Sequence, residues 1–424
     1  MSNATYTAAV VGGGPAGLAA GLALGKAAGA DVIIAAPPHR AAGKSTDMRT
    51  AALFAGSIEL LRNIDAWDLI APHCAPIAAI RIIDDTGSLL RAPEVVFTAA
   101  EVGRETFGWN VPNAAPVSGL HAAAVKPDSR VSLHETSGIA RLDIGPETAT
   151  LTSQEGETFE ARIVAGADGR NSICRAAAGI ETRTWRYEQA AVVASFHHSR
   201  PHRSISTEFH RPSGPLTTVP LPGLSSSLVW VERPDVAQRL VALNDDAFRA
   251  ALDERLQGLL GAIGAITPRA MFPLSGLTAE AFGANRVALV GEAGHVIPPI
   301  GAQGLNLGLR DAATLADCVA TALADGRDPG SAQVLDLYSA RRRPDVSSRI
   351  ATVDVLNRSL ISSLLPVHLA RGLGIVALHA LPPLRRFAIR EGLQPSGELP
   401  DLLKPDGARL MHERSRSGAR PTAA

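Results

Sequence analysis

Three glycine-bearing turns hold the residue types in this chain that could do chemistry. The first is Arg286–Asp311, RVALVGEAGHVIPPIGAQGLNLGLRD. An apolar, β-branched run (Val287–Val290) stops at Gly291, a Pro-Pro/Gly loop follows, and from Gly304 the chain reads as the start of a long helix. Such a turn aimed at a helix N-terminus can hold an anion, because the first backbone N–H groups are unpaired and the helix dipole is positive there. The second turn follows the apolar run Ala8–Val11 and reads Gly12-Gly13-Gly14-Pro15-Ala16-Gly17, with an Ala/Leu-rich segment after it. Glycines 12, 14 and 17 fit a dinucleotide fingerprint: a tight turn, close backbone approach to a pyrophosphate, and close helix–strand contact. The glycines alone also fit a plain βα turn; the strand before, the helix after and a second strand at Asp31–Ala35 supply the context. The third turn ends the apolar run Ile163–Ala167 at Asp168-Gly169 and leads past Arg170, Asn171 and Ser172 to Arg175. Read locally, Asp168 is a turn-former or a helix N-cap.

One expected element is missing. The strand that follows a dinucleotide loop usually ends in an acid for a ribose hydroxyl, but this one ends Ala35-Ala36-Pro37-Pro38. Ribose recognition must come from elsewhere or be weaker. Around the loops, Ile77–Val96 and Thr184–Arg269 show strand-like alternation broken by Pro-Gly turns, as in SISTEFH and SSSLVWVER, which predicts a mixed sheet. Asp245–Leu260 reads as one amphipathic helix within that region. From about Leu337 to about Glu391 the chain reads as helical, and its last twenty residues are rich in Arg, Ser and Pro, a composition that does not order itself.

In this order and at these separations the three turns resemble those of the flavoprotein monooxygenases of the aromatic-hydroxylase type. Asp47-Met48-Arg49-Thr50-Ala51-Ala52-Leu53, GLNLGLRDAATLAD, Tyr338–Asp345, FHRPSGPLTTVPLPG from Phe209 and LPPLRRFAIREGL from Leu381 look like the ubiquinone-biosynthesis hydroxylase branch. The likeness runs from about residue 7 to about residue 403. It implies an α/β fold: a Rossmann-like FAD-binding domain with an inserted mixed β-sheet substrate domain and a C-terminal helical segment. The FAD-binding domain is expected over 1–75, 100–180 and 270–340, the substrate domain over 76–99 and 181–269, the helical segment over 341–403, and a disordered tail over 404–424.

The resemblance also implies a set of cofactor residues. Gly12, Gly14, Pro15, Ala16 and Gly17 would hold the FAD pyrophosphate, and Asp168 and Gly169 would serve both FAD and a nicotinamide cofactor. Gly291 and Glu292 would meet the flavin ribose, with Arg49 beside the flavin. Pro298, Gly301, Ala302, Gln303, Gly304, Leu305 and Asn306 would follow its ring. The implied reaction hydroxylates the ring of a polyprenyl phenol through a flavin C4a-hydroperoxide, with O2 and NAD(P)H or another electron donor as co-substrates. No catalytic side chain is identified, and the three tyrosines (Tyr6, Tyr187, Tyr338) lie in no recognisable pocket segment. Departures from the family pattern are Glu292 for Asp, Pro298 where many members have His, and Ala302 for Gly. They read as the signature of a sub-branch, and Glu292 together with Ala36 leaves open a degenerate flavin-fold scaffold or lipid-binding subunit; a hydroxylase of soluble phenolics is a further alternative.

Other residues have simpler readings. His295 fits a flavin-site or relay group, or a histidine satisfied by backbone. Asp311 reads as a helix-surface or capping carboxylate tied to Arg310 or a loop, and Arg341–Arg343 as a solvated helix face in preference to a phosphate or membrane patch. Leu364–Leu393 mixes Leu, Ile, Val and Phe with Arg371, Arg385, Arg386, Arg390 and one acid, Glu391. That suits a helix pair touching a membrane surface or a partner, or one covering the flavin domain. The 41 basic and 41 acidic residues cancel, so bulk charge recruits no nucleic acid. Cys74, Cys174 and Cys318 lack metal-ligand spacing and read as packing thiols in a reducing compartment. With no signal peptide recognised and no apolar run of ~18 residues, the expectation is a cytoplasmic protein, peripheral at the inner face of a membrane. Oligomeric state is open.

Overall fold

The computed structural model describes residues 5–39, 49–87, 92–361, 374, 376–378, 380–393 and 398–411. Asp47, Met48, Arg371 and most of the first half of Leu364–Leu393 lie outside them.

The fold begins with strand Thr5–Val11, whose last four residues are all buried. A strand apolar on both faces belongs in the middle of a covered parallel sheet, and Thr5–Val11 pairs in parallel with Thr158–Gly166 on one side and Val32–Ala36 on the other. Its side chains alternate between two cores: Ala8 and Val10 enter one, Ala9 and Val11 the other. The sheet has eight strands, with Val287–Leu289 next to Thr158–Gly166 and Val131–Glu135 next to Val32–Ala36, both parallel. All three glycine turns therefore leave neighbouring strands at one edge of the sheet. The order reverses at Thr5–Val11, where open α/β sheets form their ligand crevice.

A nine-stranded sheet makes the second layer. Its centre is the 17-residue strand Thr182–His198, flanked antiparallel by Ser225–Glu232 and Ala270–Ala279. The hairpin Ala79–Asp84/Val95–Thr98 joins this sheet through parallel pairing of Ala79–Asp84 with Ile205–His210. The helix expected over Asp245–Leu260 is present as Asp245–Leu256, capped by Asn244, whose Oδ1 accepts from the Ala247 N–H at 2.8 Å. A second helix, Pro234–Ala242, precedes it, begun by a proline that fits the first helical turn.

The 22-residue helix Gln303–Ala324 passes under the glycine loop. It can do so because small residues meet there: a Cβ on Gly308 would lie 3.1 Å from the Ala16 Cβ and 3.3 Å from the Gly291 Cα. The next helix, Ala332–Ile361, starts earlier than the sequence suggested. Helix Pro382–Leu393 lies on the hairpin, with Ile389 buried in a cluster with Val95, Phe97, Ala99 and Phe107. The expected tail is ordered at its start. Asn63 Nδ2 donates to the carbonyls of Leu402 and Lys404, the Ala408 N–H donates to Asn63 Oδ1, and Met411 is buried. Residues 412–424 are not described.

Candidate cofactor and substrate site

The glycine turn is shaped by contacts that exclude side chains. Gly12 has φ +120°, and a Cβ there would sit 2.3 Å from the Ala167 oxygen; one on Gly17 would sit 2.2 Å from the Gly12 oxygen. Gly14 differs, since its absent Cβ would meet nothing within 4 Å. It is the N-cap of helix Pro15–Leu22, makes no side-chain cap, and is followed by no acid in the first turn. The first N–H groups of the helix thus face open space, in a cleft of about 890 Å³ lined by Gly12–Gly14, Ala35–His39, Asn113, Glu135 and Asp168–Gly169. The donors and the room suit an extended dinucleotide with a pyrophosphate at the helix end.

Asp168 lines this cleft, but its carboxylate has local work: Oδ1 accepts from Ser172 Oγ at 2.5 Å and Oδ2 from the Cys174 N–H at 3.1 Å. It organises the start of helix Ile173–Ala177, as the local reading of Asp-Gly anticipates. Arg170, two residues on, lines a second cavity of about 360 Å³ with Arg49, Ser227, Phe272, Glu292 and Pro298 among its walls. Glu292, Arg49 and Arg170 supply all its charge, and the strand residues Ala191, Val193, Leu228, Val229 and Leu274 its apolar side. The Arg49 guanidinium lies 5.2 Å above the Phe272 ring, a cation–π distance.

Between cleft and cavity runs the loop to helix Gln303–Ala324. Gly301 is left-handed (φ +68°), and so is Ala302 (φ +52°). Ala302 therefore keeps a conformation that a glycine would adopt more easily, at a cost of about 1–2 kcal/mol. Gln303 Nε2 donates to the Gly301 carbonyl at 3.0 Å, and a Cβ on Gly304 would meet nothing within 4 Å. Asn306 differs from the expectation of a flavin contact. Its Nδ2 donates to the carbonyls of Ala52 and Ala302, both at 2.7 Å, and its Oδ1 accepts from the Phe54 N–H at 2.9 Å and Ser57 Oγ at 2.7 Å. All four hydrogen-bonding positions of the amide are filled by protein, so this side chain ties the loop to strand Thr50–Phe54. Ala16 is likewise a packing residue, against Gly291 and Gly308.

Beneath the Gly291 turn is a buried ionic cluster that local pattern did not anticipate. Asp311 is 0% exposed, not on a helix surface. Its Oδ2 accepts from the Gly291 N–H at 2.9 Å and lies 2.6 Å from His295 Nε2; its Oδ1 accepts from Arg342 Nε at 2.6 Å. Arg342, expected on a solvated face, is 3% exposed and also pairs with Asp345 at 2.9 Å; Arg310 approaches Asp345 at 3.3 Å. Arg343 is the exposed member of that run. Burial pushes the Asp311 carboxyl up, but the charges of His295 and Arg342 and the hydrogen bonds from His295 and Gly291 outweigh it and hold the group down at about 2. Burial lowers Arg310 to about 10 against the pull of Asp345. Tyr338, fully buried, donates to the Leu289 carbonyl at 2.6 Å. All three cysteines are buried, with Cys74 and Cys318 raised to about 12 by desolvation.

A family model described as FAD binding domain matches residues 5–352. The chain belongs to that family, the FAD-dependent aromatic-ring monooxygenases. It is 36% identical over 410 residues to ubiquinone hydroxylase UbiL of Rhodospirillum rubrum, covering 95% of this chain and 91% of that protein. It is 30% identical over 396 residues to the 3-demethoxyubiquinol 3-hydroxylase of Escherichia coli, covering 93% and 100%. In fold it matches the crystal structure of p-nitrophenol 4-monooxygenase PnpA from Pseudomonas putida DLL-E4, with TM-score 0.75 and 20% identity over 93% of this chain and 100% of that one. The family's cofactor fits the cleft, whose glycines leave no room for side chains on the protein side and open space on the other.

Proposed function

We propose that this flavoprotein hydroxylates the ring of a polyprenyl phenol on the route to ubiquinone, with NAD(P)H or a redox protein as electron donor. In this reading the eight-stranded sheet and its helices hold FAD, and the nine-stranded sheet roofs the substrate. The first helical N–H groups after Gly14 bind the pyrophosphate, Glu292 takes a flavin ribose hydroxyl, and the loop Pro298–Leu305 follows the ring. When bound, FAD supplies two-electron redox chemistry and O2 activation. The chain's own part is orientation and exclusion of water, which suppresses side reactions.

The observation that carries the substrate class is the wall of the 360 Å³ cavity, apolar on the sheet side and charged only at Arg49, Arg170 and Glu292. It has room for a substituted ring but not for a run of isoprene units, so a tail would leave past Phe272, which is 39% exposed. The relatives named for ubiquinone chemistry support the same class. Helix Pro382–Leu393 adds a surface for such a tail's membrane. Arg385 pairs with both oxygens of Glu101 at 2.8 and 2.7 Å and anchors one face, while Leu384 and Phe387 are 40% and 62% exposed beside Arg386 and Arg390. An apolar stripe flanked by arginines fits an anionic lipid surface. No helix among the described residues is long and apolar enough to cross a membrane.

The test is a purified protein, its visible spectrum, and NAD(P)H oxidation with detergent-solubilised prenyl phenols against small phenols. Yellow protein and stimulation by the prenylated series are expected. A colourless protein that takes up no added FAD refutes the enzyme reading; stimulation by small phenols alone refutes the substrate.

A further inference from the structure

The acid missing after strand Val32–Ala36 has a structural replacement one strand away. In a parallel sheet of this kind the dinucleotide lies across the carboxyl ends of the strands, with its pyrophosphate at the glycine turn and its adenosine ribose at the end of the next strand. Here that end offers Ala35, Ala36, Pro37 and Pro38, with no side-chain acceptor. A Cβ on Gly13 would lie 2.7 Å from the Ala36 Cβ, so residue 36 stands against the glycine loop. Ala36 is in parallel register with Glu135, the last residue of strand Val131–Glu135, and neighbouring strands are only ~4.8 Å apart. The pairing continues past the strand end, where the Thr136 N–H donates to the Ala36 carbonyl at 2.9 Å.

Glu135 and Ala36 line the same cleft. Two carboxylates line it, and Asp168 is committed to Ser172 and Cys174. Among the described residues the Glu135 carboxylate makes no hydrogen bond or ion pair. Its neighbours on the cleft wall are His39 and His121, whose rings stack at 4.3 Å; His134, which also lines the cleft, pairs with Glu157 at 2.9 Å. A solvated strand end would explain an exposed glutamate alone. It does not explain why the acid stands at the strand position adjoining the one where the fold requires an acceptor and the sequence lacks it.

We propose that Glu135 is the acceptor for the adenosine ribose hydroxyls of the bound dinucleotide, the function transferred across the sheet from residue 36 to its register partner. The inference rests on the FAD reading given under Proposed function. A hydrogen bond to a charged acceptor corresponds to about a tenfold to hundredfold change in affinity.

Apo-protein of the full chain, as wild type, Glu135→Gln and Glu135→Ala, would be titrated with FAD and with an FAD analogue lacking the adenosine 2′-hydroxyl, following quenching of flavin fluorescence. Wild type is expected to bind FAD about 10- to 100-fold more tightly than the analogue. Glu135→Ala should weaken FAD by a similar factor and erase the difference between the two ligands; Glu135→Gln, which keeps shape and a neutral acceptor, should fall between. Equal FAD affinity in wild type and Glu135→Ala, or undiminished discrimination against the analogue in either variant, overturns the assignment and leaves the FAD reading intact. A wild type that binds no FAD overturns both. Residue 135 is exposed, so the variants are expected to fold, and matching apo circular dichroism checks it; if neither folds, wild-type affinity equal for FAD and the analogue overturns the assignment by itself.

Discussion

Asparagine at position 311 should destabilise this protein out of proportion to the change of one atom. Asp311, Arg342 and His295 are 0%, 3% and 2% exposed, and Arg310, Asp345 and Arg349 adjoin them. Three arginines then face two aspartates; with asparagine they face one. Removing one partner of a buried pair leaves an uncompensated charge, which costs about 3–5 kcal/mol. A carboxyl moved from 3.8 to about 2 gives an independent figure of roughly 2.4 kcal/mol at neutral pH. The two agree in order. Because the folded-state value is depressed, this contribution is present above the unfolded value of ~3.9 and is lost as pH falls through about 2. The gap between wild type and Asp311→Asn should therefore not narrow between pH 7 and 5, and should narrow only in stronger acid.

Denaturant unfolding of the apo-proteins, followed by the fluorescence of the four tryptophans, measures the gap. The double variant Asp311→Asn/Arg342→Met should regain part of the loss, since the unpaired guanidinium is gone. A single-variant cost below about 1 kcal/mol, the worth of an exposed pair, would refute the reasoning. So would a gap that closes already between pH 7 and 5.

Two further predictions concern binding. Gly17→Ala, whose Cβ would sit 2.2 Å from the Gly12 oxygen, should cost at least 1–3 kcal/mol by overpacking and abolish FAD uptake; Gly14→Ala, with nothing within 4 Å, should change apo stability by no more than about 1 kcal/mol yet still weaken FAD. Equal effects of the two in melting and FAD titration would refute the assignment of Gly14 to the ligand side. Leu384→Ser/Phe387→Ser should reduce flotation with phosphatidylglycerol vesicles by about tenfold or more, because each buried apolar side chain is worth about 1.5–3 kcal/mol. Unchanged flotation would refute lipid contact by this helix.

What the sequence made legible was whatever local physics decides. Gly12, Gly17 and Gly301 announce themselves because no side chain fits or because φ is positive, and strand Thr5–Val11 because four consecutive buried residues leave it nowhere else to go. Asp311, Arg342 and Glu135 are a different kind of residue. Nothing near Asp311 in the chain shows that a helix beginning at Ala332 will bring Arg342 against it, and so it reads as a surface or capping carboxylate. Nothing at Ala36 shows that the neighbouring strand, almost a hundred residues on, will end at the same level in an acid. In both cases the partner is fixed by register between elements, a property of the assembled sheet and helices. Asn306 marks the boundary between the two kinds. It lies within a motif that the resemblance assigns to the flavin, yet its amide is fully occupied in joining that loop to Ala52, Phe54 and Ser57, some 250 residues earlier. A motif can therefore place a residue correctly in the site and still misname its work, because position is local and hydrogen-bond partners are not.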